Sequence, residues 1–297
     1  MRSAAGGPGA GGENRPPPIH RRNVSDLEQW IVVVRHQISH YLRTYRFIGL
    51  LAFVLLVSVL TLAFQIDTPA PLVRLEQLNR ASEYLSNFLV YIPLWIVLAA
   101  AFFGGDALSV DFASATGYYM LVLPIRRRTL LAGRYVAATL VTLAIIAVYY
   151  AIAVLGGTYF FGAAALPWHS LLISFGLAAL YVVAAISAAF CVSAFIRSPV
   201  AGPVVTVLIF YVGFTTLEGV LELAGFEPWF SLNYGAGSIA AVLDTDFVHD
   251  LTVPVGSGQY SHVWAATPPE GAAIGLGYLL VFLTLSIILY QRKESTG

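Results

Sequence analysis

Six apolar runs, separated by shorter polar segments, dominate the hydropathy pattern of the chain. Each run is long enough, or nearly so, to cross the roughly 30 Å hydrocarbon layer of a bilayer as a helix. We place the predicted spans at 47–66, 85–103, 135–155, 171–196, 200–217 and 272–290. The pattern therefore predicts an all-α integral membrane protein with a six-span transmembrane domain over residues 47–290.

Ahead of the first span, the apolar residues follow a helical spacing. Residues 1–24 are rich in Gly and Pro and predict a disordered tail. Ser25 and Glu28 form a capping box that opens an amphipathic helix over 25–46. We expect this helix to lie in the membrane interface, although its periodicity also fits a helix packed on the protein itself. The expected interfacial anchors are Trp30, Arg35, Tyr41, Arg43 and Tyr45.

The linker between the fifth and sixth spans, residues 218–271, is too long for a simple hairpin. It contains an apolar, aromatic stretch from Phe226 to Leu243. We expect one or two short re-entrant helices there, followed by an irregular segment that ends at Pro269.

Composition supports the membrane assignment. The chain has 297 residues, of which 58% are hydrophobic and 11% charged, and its mean hydropathy is +0.76. A soluble domain carries about 25% charged residues. The sequence thus indicates a multi-pass membrane protein, and we expect it in the plasma membrane.

Basic residues are sorted along the chain. With the N-terminus inside, the inner segments hold fourteen of the sixteen basic residues, and only Arg74 and Arg80 lie outside. The positive-inside rule therefore places both termini, including the tail 291–297, and the segment 104–134 in the cytoplasm.

Segment 104–134 has a pattern of its own. Leu108, Phe112 and Tyr119 belong to one apolar stripe at helical spacing, which predicts a short amphipathic helix. Pro124 would end this helix, because proline has no N–H to donate. The next helix would begin near Arg126.

The same segment resembles the cytoplasmic segment between spans two and three of type-2 ATP-binding-cassette (ABC) exporter permeases. The resemblance rests on the order of Asp106, Asp111, Thr116, an apolar run ending at Pro124, a basic cluster, and Leu-Leu-Ala-Gly-Arg over residues 130–134. The chain departs from the family pattern at Ala115, where Gly is usual, and at Arg134, where Lys is common.

The resemblance implies a permease subunit whose cytoplasmic coupling helix docks into a soluble ABC ATPase. A second permease copy, as a homodimer or with a paralogue, and membrane lipids are the further partners that it implies. No nucleic acid is expected. The residues expected to couple to the ATPase are Asp106, Leu108, Asp111, Phe112, Thr116, Tyr119, Pro124, Arg126, Arg127 and Arg128.

Catalytic motifs are absent from the sequence. A phosphate-binding loop needs a lysine, and the one lysine of the chain is Lys293 in the C-terminal tail. We therefore expect no catalysis by this chain, with ATP and Mg bound by the partner ATPase. No bound metal is expected either, since His36 and His40, one turn apart, have no further ligand nearby.

Two interpretations stay open. Tyr149, Tyr150 and Tyr181 suit the lining of a path for an amphipathic substrate, although core positions are commoner for such residues. The alternative function is a membrane-embedded enzyme or receptor whose cytoplasmic loop binds lipid phosphates through Arg126, Arg127 and Arg128.

Overall fold

A computed structural model describes residues 26–67, 81–110, 127–196, 198–244, 247–254 and 260–294. Helices make up most of this part of the chain. Their bounds are α1 Asp26–Arg43, α2 Tyr45–Asp67, α3 Ala81–Leu89, α4 Ile92–Gly104, α5 Arg127–Phe161, α6 Trp168–Phe195, α7 Ala201–Val207, α8 Phe214–Leu223, α9 Leu232–Ala241 and α10 Pro268–Glu294. A π-helical segment, Leu208–Gly213, joins α7 to α8, and a short 3₁₀ turn covers Ala163–Ala165.

Within the described residues, six stretches are long and apolar enough to cross a membrane. They are Tyr45–Ala63, Ala81–Gly104, Thr129–Phe161, Trp168–Phe195, Ala201–Leu223 and Pro268–Leu289. Each predicted span overlaps one of them, so the predicted six-span helical architecture is confirmed. α5 is much longer than its predicted span, about 52 Å at 1.5 Å per residue.

The second span is two helices rather than the single helix that hydropathy suggested. α3 ends at Leu89 and α4 begins at Ile92, with Val90 and Tyr91 exposed between them. Pro93 follows the break and has no N–H to continue the helical ladder. Close to the break, the carbonyl of Phe88 accepts a hydrogen bond from the Tyr149 hydroxyl.

Helix α6 forms the centre of the bundle. It contacts α4, α5, α7, α9 and α10. Its buried positions are mostly small, including Ala184, Ala185, Ala188 and Ala189, which lets neighbouring backbones approach closely. Bulky side chains fill the space on the facing helices, with Trp95 and Phe103 of α4 almost fully buried.

The linker between spans five and six differs from the prediction. Span five continues to Leu223, and the linker contains a short helix, α9, that packs on α3, α6 and α10. Its expected re-entrant placement stays a prediction. The expected irregular stretch instead contains an antiparallel pair of strands, β1 Asp250–Pro254 and β2 Tyr260–Trp264, with Leu251 opposite Val263. Branched and aromatic residues on these strands favour extended structure, a signal that the glycines between them obscured.

Candidate functional site

The segment with the permease-like pattern is attached at one end of the helical bundle. This region, which we call the Asp106 end, comprises the α1–α2 junction, residues 103–110, the first turns of α5, the end of α6 and the start of α7. Segment 111–126 lies outside the described residues, but both of its flanks, Val110 and α5, belong to the Asp106 end. The contacts made here therefore fix the positions of the two described stretches that border this segment.

An ion pair lies at the centre of the Asp106 end. Arg46, in the first turn of α2, donates a hydrogen bond to the Asp106 carboxylate and pairs with it. The Asp106 side chain is 11% exposed and that of Arg46 is 40% exposed. Burial raises the pKa of Asp106, and the Arg46 guanidinium opposes part of that rise. The pair joins the first span to the end of the second.

Backbone groups after α4 are held by side chains from three other helices. The Ser193 hydroxyl of α6 accepts hydrogen bonds from the N–H groups of Leu108 and Ser109, at 3.0 and 3.1 Å. Arg134 of α5 donates to the carbonyl of Ala107 at 2.8 Å. The turn over residues 105–110 thus has partners from spans three and four.

Helix α1 supplies the third of these contacts. The Tyr41 hydroxyl donates to the Phe103 carbonyl at 2.9 Å, and burial raises the pKa of Tyr41 to about 12. α1 also packs along α5, where a Cβ at Gly133 would lie 2.6 Å from Val33 Cγ1. One side of α1 is therefore covered by the protein itself.

Spans two and five meet backbone to backbone at this end. A Cβ on Gly202 would overlap the carbonyl oxygen of Gly105, and a Cβ on Gly105 would lie 2.9 Å from the Pro203 backbone. Glycine at both positions is required because no side chain fits between the two backbone segments at this distance.

The predicted coupling residues fall into three groups. Leu108 and Asp106 are both buried. Asp106 lies against Arg46, because an acid so near the bundle needs a basic partner. The coupling role of both residues stays a prediction. For Arg127 and Arg128 the structure describes the backbone, in the first turn of α5. Asp111, Phe112, Thr116, Tyr119, Pro124 and Arg126 lie outside the described residues.

The predicted interfacial anchors are similarly divided. Arg35, Arg43 and Tyr45 are exposed, Tyr45 at 91%, and Trp30 is half-buried. Tyr41 differs from the expectation, because its ring is buried and its hydroxyl is bound within the protein. The periodicity marked the apolar face of α1 without separating its exposed part from the part that packs on the protein.

The three tyrosines considered for a substrate path are buried in the bundle. Tyr149 donates to the Phe88 carbonyl, Tyr150 shares a 2.7 Å hydrogen bond with Ser174, and Tyr181 donates to the Gly271 carbonyl at 2.6 Å. In this conformation they tie helices together, and a role in a substrate path stays a prediction.

Sequence reasoning missed two residues of the Asp106 end. Arg46 was counted among the cytoplasmic bases without a partner, and Ser193 was not singled out. A signal for Arg46 exists, since a base at the start of span one and an acid just after span two lie at the same membrane level. Ser193 has no such signal, because serines whose hydroxyl bonds to a carbonyl one turn earlier in the same helix are common in spans.

Comparisons with known proteins identify the family of the chain. A comparison with curated proteins found no match. A family model described as "ABC-2 family transporter protein" matches residues 31–295, which include every span and the whole Asp106 end. The chain therefore belongs to the ABC-2 transporter family, as a multi-pass membrane permease.

Proposed function

We propose that this protein is the permease subunit of an ATP-driven exporter, in which segment 104–134 docks into a separate ABC ATPase. The observation that carries the proposal is the attachment of both flanks of segment 111–126 to the Asp106 end. A force applied to that segment by an ATPase would reach spans one to five through the contacts of Arg46, Ser193, Arg134 and Gly202.

The distribution of charge supports a cytoplasmic location for the Asp106 end. At the Asp106 end the described residues include Arg43, Arg46 and Arg134, whereas Glu227 and Glu270 lie at the opposite end of the spans. The positive-inside rule then places the Asp106 end in the cytoplasm, where an ATPase is available. Both termini would be cytoplasmic as well.

The chain itself would not hydrolyse ATP. Its single lysine, Lys293, is remote in sequence from any glycine-rich loop, so ATP and Mg would bind to the partner. Two permease subunits, identical or paralogous, would enclose the substrate path within the lipid bilayer.

Co-purification with the cognate ATPase tests docking directly. Phe112→Asp should release the ATPase, because it places a charge in an apolar contact worth roughly 2 to 3 kcal/mol. The matched control is Phe226→Asp, the same substitution at a side chain 65% exposed at the other end of the spans, which should keep full stoichiometry. Equal ATPase recovery from both variants would refute docking through segment 104–134 and favour the lipid-binding alternative.

Cysteine labelling in sealed cells tests orientation. In a Cys191→Ser background, which removes the sole cysteine, cysteines at Ser114 and Ser295 should react only from the cytoplasm. Cysteines at Ser82 and Ser257 should react only from outside. Labelling of Ser114→Cys from outside would exclude the proposed function.

A further inference from the structure

Three potential metal ligands meet at the end of the bundle opposite Asp106. They are Glu227 from the loop after α8, His249 from the segment before β1, and Glu270 from the first turn of α10. One ligand atom from each lies within 4.8 Å of the others. These residues come from three separate segments, so the cluster is made by the fold and not by local sequence.

The imidazole of His249 has a defined orientation. Its Nδ1 lies 2.8 Å from the carbonyl oxygen of Ala265. A carbonyl oxygen can only accept, so Nδ1 carries the hydrogen, and in the neutral ring the lone pair is on Nε2. Nε2 lies 3.9 Å from Glu227 Oε1. Nε2, the nitrogen that is able to bind a metal, therefore faces Glu227, whereas Glu270 Oε2 lies 4.0 Å from Nδ1 and would have to turn toward Nε2 to share a cation with it.

Both carboxylates are also held by hydrogen bonds from outside the cluster. The Tyr234 hydroxyl donates to Glu227 Oε1. The backbone N–H of Thr267 donates to Glu270 Oε2 at 2.9 Å. Metal ligands in proteins are commonly oriented by such outer partners, a backbone carbonyl for histidine and a donor for each carboxylate. All three residues have an outer partner of the appropriate kind.

We propose that Glu227, His249 and Glu270 form a binding site for one divalent cation of the zinc class. One imidazole nitrogen and two carboxylates are a donor set that zinc accepts, with a fourth position left for water. Calcium and magnesium prefer oxygen ligands alone, which makes them poorer candidates. Closing the site requires small side-chain movements, since ligand atoms around tetrahedral zinc lie about 3.4 Å apart.

The site would connect three parts of the structure. Glu227 follows span five, His249 precedes the strand pair and Glu270 begins span six. His249 also contacts Trp264 of β2, with ring centroids 5.6 Å apart. A bound cation would hold the strands and the start of span six to the end of span five. Its effect is therefore expected on the stability of this end of the molecule.

Calorimetric titration of Zn²⁺ into the full-length protein in detergent, carrying no histidine tag, tests the proposal. We expect one Zn²⁺ per chain and a higher unfolding temperature in its presence. His249→Gln should weaken binding at least about 100-fold, and Tyr234→Phe, which removes an outer partner, about 10-fold. Mg²⁺ at the same concentration should bind measurably more weakly than Zn²⁺.

His262→Gln is the matched control. His262 lies on β2, pairs with Asp250 at 2.9 Å and is not one of the three ligands, so its loss should leave affinity unchanged. Glu270→Gln is a second ligand variant that should still fold, because its side chain is 46% exposed. It should weaken binding while the elution profile stays monodisperse. Lack of stoichiometric binding, unchanged affinity in His249→Gln or Glu270→Gln, or an equal loss in His262→Gln would each overturn the proposal.

Discussion

The two ends of the bundle hold a carboxylate in different ways. At the Asp106 end, Asp106 is paired with the positive charge of Arg46. At the other end, Glu218 accepts hydrogen bonds from Ser231 and from the N–H of Tyr234, which are neutral donors. Removing one partner of an ion pair leaves the other charge without compensation. A carboxylate with several neutral donors keeps its remaining hydrogen bonds when one donor is lost. The Asp106 end should thus be the more sensitive of the two to single substitutions.

Gly202→Val should have the largest effect. The added side chain would overlap the Gly105 carbonyl, and because the obstacle is backbone, spans two and five must separate, at a cost of about 3 kcal/mol or more. The measurement is the unfolding temperature of the purified protein. Gly219→Val, also in span five but with open space around its Cβ position, is the control and should change it little. Similar losses in both variants would show that the close approach does not matter.

Arg46→Met should rank second. It leaves Asp106 buried without its cation, which costs 3–5 kcal/mol in a fully buried pair and about 2 kcal/mol here, since Arg46 is 40% exposed. Adding Asp106→Asn should recover much of the lost free energy of unfolding, because the double variant has no buried charge at this pair. A double variant as unstable as Arg46→Met alone would contradict an ion-pair role.

The same pair predicts a pH dependence. Burial already raises the pKa of Asp106, and removal of Arg46 should raise it further. A carboxyl whose folded pKa exceeds its unfolded value costs stability when ionised, and this cost disappears as the pH falls. The gap in stability between Arg46→Met and the wild type should therefore shrink as the pH is lowered from neutral toward the ordinary pKa of an aspartate. A gap independent of pH would assign the loss to packing.

Ser193→Ala should cost about 1 to 2 kcal/mol, because the N–H groups of Leu108 and Ser109 lose their acceptor. If the turn over 105–110 transmits movement from the ATPase, substrate-stimulated hydrolysis in the complex should fall as well. Ser58→Ala is the control, since that buried hydroxyl donates to Val54 of its own helix. An effect on stability without one on hydrolysis would limit Ser193 to a structural role.

Ser231→Ala, at the opposite end, should have the smallest effect, about 1 kcal/mol. Ser231 caps α9 by accepting from the N–H of Asn233, and Glu218 keeps its hydrogen bond from Tyr234 when Ser231 is lost. ATPase association should be unchanged. A loss larger than that of Ser193→Ala would reverse the proposed order of sensitivity between the two ends.

Hydropathy was sufficient to predict the six spans, because length and apolar character are what a bilayer requires of a helix. It could not predict the break at Val90–Tyr91, since a single Pro93 in a span is compatible with a kinked or an uninterrupted helix. The strand pair was missed for a similar reason, because five-residue strands give weak periodicity. At the Asp106 end, the position of Asp106 was evident from the pattern, but its partner lies 60 residues earlier in the chain. Such pairings depend on tertiary packing, which local periodicity does not encode.

The break in span two also allows its two helices, α3 and α4, to move separately. α3 and α4 both contact α5 and α9, but α4 also contacts α2, α6 and α7. With no continuous ladder of hydrogen bonds across Val90–Tyr91, the two halves need not turn as one rigid rod. If a displacement began at Asp106, α4 would be free to turn relative to α3, and the bend angle of this span would then change during turnover. Spin labels at Asn87 and Leu98 would measure that angle, and a label distance that stays constant with and without nucleotide on the ATPase would show that span two moves as a single rod.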